Sequence, residues 1–314
     1  NKLLLLALLA AFSIATIWMA PHFGAAEYSD QIRALRLPRA ALAWFSGGAL
    51  AVAGLLMQTL LRNDLATPFT LGVASSASFG AFVCFAFPSI AASIWAPPLL
   101  GFICAIATIA LIIKLGSSHL GHNGILLVGI TINFVFGAAL MIVRHLAPPY
   151  RMTKLEHWLM GSIETSSFEP AWVVATAALL CLAIIWTKRH DLDQYSFDIK
   201  VAQARGVNVS KLMNVGLATS GLLTAAVVTQ CGPIAFIGLL VPHALRPFIG
   251  HSHKYMLPAC WLLGSGFLVF ADTLSRSLLI FGRSSDIPVG IITALVGGPA
   301  FLLIVLRKSK KAPH

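Results

Sequence analysis

The sequence predicts an all-α, polytopic membrane protein with about ten transmembrane helices, folded as one domain over residues 1–314. Three observations lead there. Hydrophobic residues make up 58% of the chain and charged residues only 11%, against about 25% charged in a soluble domain. Mean hydropathy is +0.84, so a soluble core would leave apolar surface in water, and disorder is excluded on the same ground. Apolar blocks of spanning length recur from end to end, most of them close to the ~20 residues a bilayer requires. Ten spans use roughly 200 residues, which leaves too little chain for an attached soluble domain.

The blocks fall near 3–20, 38–61, 70–88, 98–113, 124–146, 171–187, 213–231, 234–246, 257–280 and 288–306. The first ends at Pro21-His22-Phe23, which is no small-residue cleavage site, so it reads as a helix rather than a leader. The second starts at Pro38, a residue suited to a helix's first turn because its missing N–H goes unused there. The segment 154–162 is too polar to span and reads as a short helix outside the membrane. The block 234–246 is short and flanked or broken by Pro233 and Pro242. Such a partial span needs protein or a water-filled cavity to satisfy its backbone. Glycines inside the blocks, among them Gly47, Gly48, Gly54 and Gly264, allow close helix–helix approach.

Charge orients the chain. The net charge is +11, and the basic residues sit in short islands rather than in a nucleic-acid-binding stripe. With both termini inside, fourteen of the 22 Lys and Arg face the cytoplasm and eight the outside, the bias expected of a cytoplasmic side. Two islands stand out. The inside segment 188–211 mixes acids with bases, and 199–205 has helix-forming composition with Gly206 as its stop. It reads equally as a docking element and as a solvated loop helix. The outside island carries Arg33, Arg36 and Arg39. These arginines suit either lipid phosphates or the carboxylates of a protein partner.

Several chemistries are missing. There is no GxxxxGK[ST] phosphate loop, so the chain is no P-loop ATPase, and neither HExxH nor GxSxG occurs. No catalytic residue is assigned. The five cysteines lie in apolar stretches without metal or disulfide spacing and read as small buried hydrophobes. His251 and His253 share a loop with Gly250 that reads as solvated rather than metal-binding. No metal site and no bound cofactor are expected. Asp272 is the acid inside an apolar block, and Arg276 follows at the i,i+4 spacing of an ion pair.

Four segments in order resemble one family, the permease subunits of type II ABC importers for ferric siderophores, haem and vitamin B12. They are Arg36-Leu37-Pro38-Arg39 with Gly54 to Gln58, Arg62-Asn63-Asp64-Leu65-Ala66-Thr67-Pro68 and Leu71-Gly72-Val73; then Trp158-Leu159-Met160-Gly161-Ser162; then Gly232-Pro233-Ile234-Ala235-Phe236-Ile237-Gly238-Leu239 with Pro242, His243 and Arg246; and finally Ala271-Asp272, Arg276, Ile287-Pro288-Val289-Gly290 and Gly297-Gly298-Pro299. The match runs from residue 33 to the C-terminus.

The resemblance implies the type II ABC importer permease fold with both termini cytoplasmic in a bacterial inner membrane. It implies partners too: a second permease subunit (a copy or a paralogue), two ATPase subunits that bind the ATP, and a substrate-binding protein. Arg36, Arg39 and Arg276 match arginines that grip glutamates of the binding protein in relatives. Ala202, Arg205, Gly206 and Val207 fall in the coupling region that sits in a groove of the ATPase. Asn63, Asp64 and Leu65, and His122 with Asn123, fall at two cytoplasmic gate positions, and block 124–146 would line the pathway. Two departures are visible. Asp64 stands where the family usually has Pro, and Ser75-Ser76-Ala77 replaces a usual Ser-Gly-Ala. The expected cargo is a ferric siderophore, with haem or cobalamin as alternatives. A transporter driven by an ion gradient is the other class; it predicts several membrane acids where the sequence offers essentially Asp272.

Overall fold

The structure, a computed structural model, describes residues 2–24, 29–87, 93, 95–116, 121–148, 156–280, 283–284 and 287–309; at 116, 121–123, 279–280, 283–284, 304–305 and 307–309 it describes the backbone alone. Ten helices match the ten apolar blocks. They are α1 (Lys2–Met19), α2 (Asp30–Leu60), α3 (Val73–Ala86), α4 (Ala96–Gly116), α5 (Gly121–Leu146), α6 (Glu169–Thr187), α9 (Val209–Cys231), α10 (Ile237–Ile249), α11 (His253–Ser277) and α12 (Val289–Ser309). Two short helices, α7 (Arg189–Phe197) and α8 (Ile199–Ala204), fill the island between α6 and α9. A two-residue pair of strands, β1 (Leu279–Ile280) and β2 (Arg283–Ser284), joins α11 to α12. Among the described residues, seven helices are long and apolar enough to cross a membrane, while α3, α10 and α12 supply shorter apolar segments.

α2 is the axis of the bundle. It packs against α6, α9, α10 and α11, and most of its residues are buried. Glycine permits that closeness. A Cβ on Gly54 would come within 1.8 Å of the Gly238 carbonyl oxygen of α10, and one on Gly47 within 2.2 Å of the Gly264 carbonyl oxygen of α11. Bilayer tails are as apolar as leucine, so helices associate by such close packing rather than by the hydrophobic effect. α5 shows the opposite habit: Leu127, Phe134, Val135, Met141 and Ile142 are all exposed in the single chain.

α2 begins eight residues earlier than the apolar block suggested. Ser29 caps it, its hydroxyl oxygen accepting from the Ile32 N–H, and Asp30 favours the positive end of the helix dipole. Pro38 is therefore an interior residue, not a first-turn one. A capped and charged N-terminal extension carries the helix past the proline at the loss of one backbone hydrogen bond.

The partial span is broken as expected. Between α9 and α10 the chain leaves helical geometry at Gly232 to Phe236, with φ of 68° at Gly232 and 69° at Phe236. The freed backbone finds partners inside the bundle. Ser162 N–H donates to the Cys231 carbonyl at 2.9 Å, and the Gln58 amide donates to the Gly238 and Leu239 carbonyls at 3.3 and 3.2 Å. Residues 156–159 are helical, while residues 149–155, including Lys154 of the expected outer helix, lie outside the described residues.

Candidate functional sites at the two ends of the bundle

Charged side chains gather at both ends of α11. From His253 to Asp272 this helix rises about 28 Å, close to the hydrocarbon thickness of a bilayer.

At the Asp272 end, the helical extension of α2 puts Arg36 and Arg39 one turn apart on one face. Arg39 Nε donates to Asp272 Oδ1 at 2.9 Å, and Arg276 Nε donates to Oδ2 of the same carboxylate at 3.1 Å. Arg36 Nη1 reaches the Pro21 carbonyl at 3.1 Å and Arg276 Nη2 the Ala20 carbonyl at 3.4 Å. These carbonyls close α1, where the helix dipole favours a cation. Asp272 is 1% exposed, and Arg276 Nη1 is buried without a hydrogen-bond partner. Two guanidiniums thus share one carboxylate, with Arg36 held beside them on the Pro21 carbonyl.

The structure therefore brings together all three arginines assigned to docking. Arg36 and Arg276 are buried, Arg36 on the Pro21 carbonyl and Arg276 between Asp272 and the Ala20 carbonyl. Arg33 is the exposed arginine of the set. The ion pair expected between Asp272 and Arg276 is present, and sequence spacing missed its Arg39 partner, 233 residues away.

At the other end lie the proposed gate and coupling residues. Asn63 Oδ1 accepts the Leu65 N–H at 2.9 Å, a turn that follows α2. Asp64 pairs with Arg246 in the last turn of α10, so the acid that departs from the family pattern has a cation beside it. Leu65 is exposed. His122 and Asn123 lie in the first turn of α5, and their side chains fall outside the described residues.

The helix expected over 199–205 is α8. Asp198 caps it, and the N–H groups of Val201 and Lys200 hold its carboxyl below the usual carboxylate range against a desolvation that would raise it. Gly206 has φ of 85°, in the left-handed region that suits glycine. Its N–H donates to the Gln203 carbonyl at 3.0 Å, and Val207 N–H donates to the Ala202 carbonyl at 3.0 Å. Ala202 is buried, whereas Arg205 and Gly206 are exposed.

His253 corrects the reading of its loop as solvated. It opens α11, is 2% exposed, and bonds to Asp193 of α7 and Thr59 of α2. Burial alone would raise the Asp193 carboxyl. Hydrogen bonds from the His253 ring and backbone, with the nearby His253 and His190 charges, hold it below the usual range instead. Between these groups, a cavity of about 160 Å³ is lined by Gln58, Thr59, Arg62, Asp64, Arg246 and His253, among others. Among the described residues, no group of three or more His, Cys, Asp or Glu side chains could hold a metal ion.

Known proteins resemble this chain in sequence and in fold. The model of the FecCD transport family matches residues 3–307. The chain is 34% identical to the Fe(3+) dicitrate transport system permease protein FecD of Escherichia coli over 298 residues, 94% of this chain and 90% of that one. It is also 34% identical to the hemin transport system permease protein HmuU of Yersinia pestis over 288 residues, 88% of this chain and 83% of that one. A solved structure of a transporter described as of metal-chelate ABC type, in an inward-facing conformation, superposes with a TM-score of 0.88 at 28% identity, over 98% of this chain and 99% of that one. The helices, the broken span and the ordered motifs are thus those of an ABC importer's membrane-spanning permease subunit, distinct from its ATPase, and the chain belongs to the FecCD transport family.

Proposed function

We propose that the chain is the permease of an importer that moves a ferric siderophore from a binding protein on the outer side of a bacterial inner membrane into the cytoplasm. Two such permease subunits, identical or paralogous, form the pathway between them in the bilayer. Two separate ATPase subunits bind and hydrolyse ATP. Both termini face the cytoplasm, as the distribution of Lys and Arg favours. The chain makes and breaks no covalent bond in its cargo. It binds no cofactor and no nucleic acid.

The observation that carries this reading is that Arg39 and Arg276 share the single Asp272 carboxylate while Arg276 Nη1 has no hydrogen-bond partner, at the far end of α11 from α7 and α8. Guanidiniums that share one acceptor suit the carboxylates of a docking protein. The opposite end, with Ala202, Arg205, Gly206 and Val207 beside a left-handed turn, suits an ATPase groove. Nucleotide-driven closure there would rock the bundle as a rigid body and open the gate at Asn63, Asp64 and Leu65, with His122 and Asn123 as the second gate segment. A mechanism powered by an ion gradient is set aside by membership in an ABC family.

Haem is the second reading, because the hemin permease and the ferric dicitrate permease are equally identical to this chain. The test is reconstitution of the full complex in proteoliposomes, with ATP-dependent uptake of ferrichrome, ferric dicitrate, haemin and cyanocobalamin measured side by side. Uptake of a ferric chelate and not of the others is expected. Haemin or cyanocobalamin uptake without ferric-chelate uptake overturns the cargo, and uptake that persists without ATP overturns the mechanism.

A further inference from the structure

α7 is not a free surface helix. Tyr195 is fully buried, and its hydroxyl donates to the Leu60 carbonyl at the end of α2, 2.8 Å away. Two residues earlier, Asp193 Oδ1 accepts both the backbone N–H of His253 and its ring Nδ1, each at 2.7 Å. The other face of the ring completes the chain: His253 Nε2 lies 3.1 Å from Thr59 Oγ1, and the Thr59 hydroxyl donates to the Leu55 carbonyl at 2.9 Å. Both ring nitrogens of His253 thus have a partner, Nδ1 at Asp193 on α7 and Nε2 at Thr59 on α2.

The helices tied here cannot easily slide. α2 and α11 touch backbone to backbone at Gly47 and Gly264, and Gly48 lies against Trp261 and Ser265. At their far end the same two helices are tied again by Arg39, Asp272 and Arg276. A displacement of α7 is therefore delivered to a stiff helix pair that ends in the arginine cluster.

We infer that Asp193 and His253, supported by Thr59 and Tyr195, are positioning residues that pass movement of the α7–α8 segment into the α2–α11 pair, and through it to the arginine cluster. This deepens the function proposed above and rests on its assignment of α8 to the ATPase. Coupling between distant sites needs a physical element that both sites bias. The α2–α11 pair, bonded at each end, is such an element.

Hydrogen exchange on the permease–ATPase complex in nanodiscs, with and without ATP and vanadate, tests it without knowledge of the cargo. In the wild type, trapping nucleotide should change exchange in peptides covering α7–α8 and in those covering the start of α11. In His253→Leu the α7–α8 response should remain while the α11 response falls about fivefold or more, the lower range of measured coupling. Asp193→Asn, at a partly exposed site that tolerates substitution more readily, should give the same split in milder form. His253→Gln, whose amide N–H can donate to Asp193 in place of the ring, should restore the α11 response. An undiminished α11 response in both His253→Leu and Asp193→Asn overturns the inference and leaves the α8 assignment standing. No response in α7–α8 of the wild type overturns the α8 assignment and the inference with it.

Discussion

The two ends of α11 hold charge in different ways. At the Asp272 end, Arg39 and Arg276 share one buried carboxylate, Arg36 and Arg276 each hold a carbonyl past the end of α1, and Arg276 Nη1 has no hydrogen-bond partner. At the His253 end, acids and donors pair one to one: Asp64 with Arg246, and Asp193 with His253. Breaking a buried pair leaves an uncompensated charge, while partly exposed pairs are relieved by water. Two arginines on one carboxylate suit the proposed docking of an outside acid, whereas one-to-one pairs suit the inferred joint within the chain.

That contrast can be broken most strongly at Asp272. Asp272→Ala leaves three arginines facing one another at a buried position, and should destabilise the protein by about 3–5 kcal/mol. Thermal unfolding in detergent would show it, and an unchanged midpoint would mean that the cluster is not held by its carboxylate. For the same reason Arg39→Glu is a poor probe of docking alone: it sets a second carboxylate against Asp272 and disturbs the fold.

A smaller effect is expected from Gly206→Pro. Proline cannot adopt the φ of 85° and lacks the N–H that reaches the Gln203 carbonyl, so the turn after α8 should be distorted by about 1–3 kcal/mol. Uptake per ATP hydrolysed in proteoliposomes should fall while hydrolysis continues. Undiminished stoichiometry would show that this turn does not touch the ATPase.

Tyr195→Phe removes one buried hydrogen bond and leaves the Leu60 carbonyl with one partner fewer, a loss of about 1 kcal/mol. Chemical denaturation of the purified permease is the measurement, and a fully neutral result would loosen the attachment of α7 to α2. Asp64→Ala should come below that, under about 1 kcal/mol, because its pair with Arg246 is partly solvated. Comparing its melting shift with that of Asp272→Ala measures the difference between the two ends directly.

The mildest change for the fold is Arg33→Glu, expected within about 0.5 kcal/mol of wild type. Its effect should appear instead as slower, salt-sensitive association of the binding protein. A docking rate equal to wild type at low salt would confine the docking surface to the buried arginines.

The helices were legible because their signal is local. A run of apolar residues announces a span wherever it sits, and all ten blocks became helices. The break between α9 and α10 was marked by Pro233, and the turn after α8 by Gly206. Two features escaped for opposite reasons. The first turns of α2 are polar, so hydropathy placed its start at Pro38, although Ser29 and Asp30 signal a capped helix. His253 resembled a loop residue because its neighbours Gly250, His251 and Ser252 are turn formers, and nothing near it in sequence names Asp193 as its partner, 60 residues away.

The sequence by itself determined the membrane class, the ten apolar helices, the ordered motifs and the family, all of which rest on residues close together in the chain. Only the tertiary structure decided how the charges are shared: Asp272 between Arg39 and Arg276, Asp64 with Arg246, Asp193 with His253. Composition sets how many charges must be satisfied in a poorly solvating medium. Which charge satisfies which depends on distances of a few ångströms between helices far apart in sequence, and only packing fixes those.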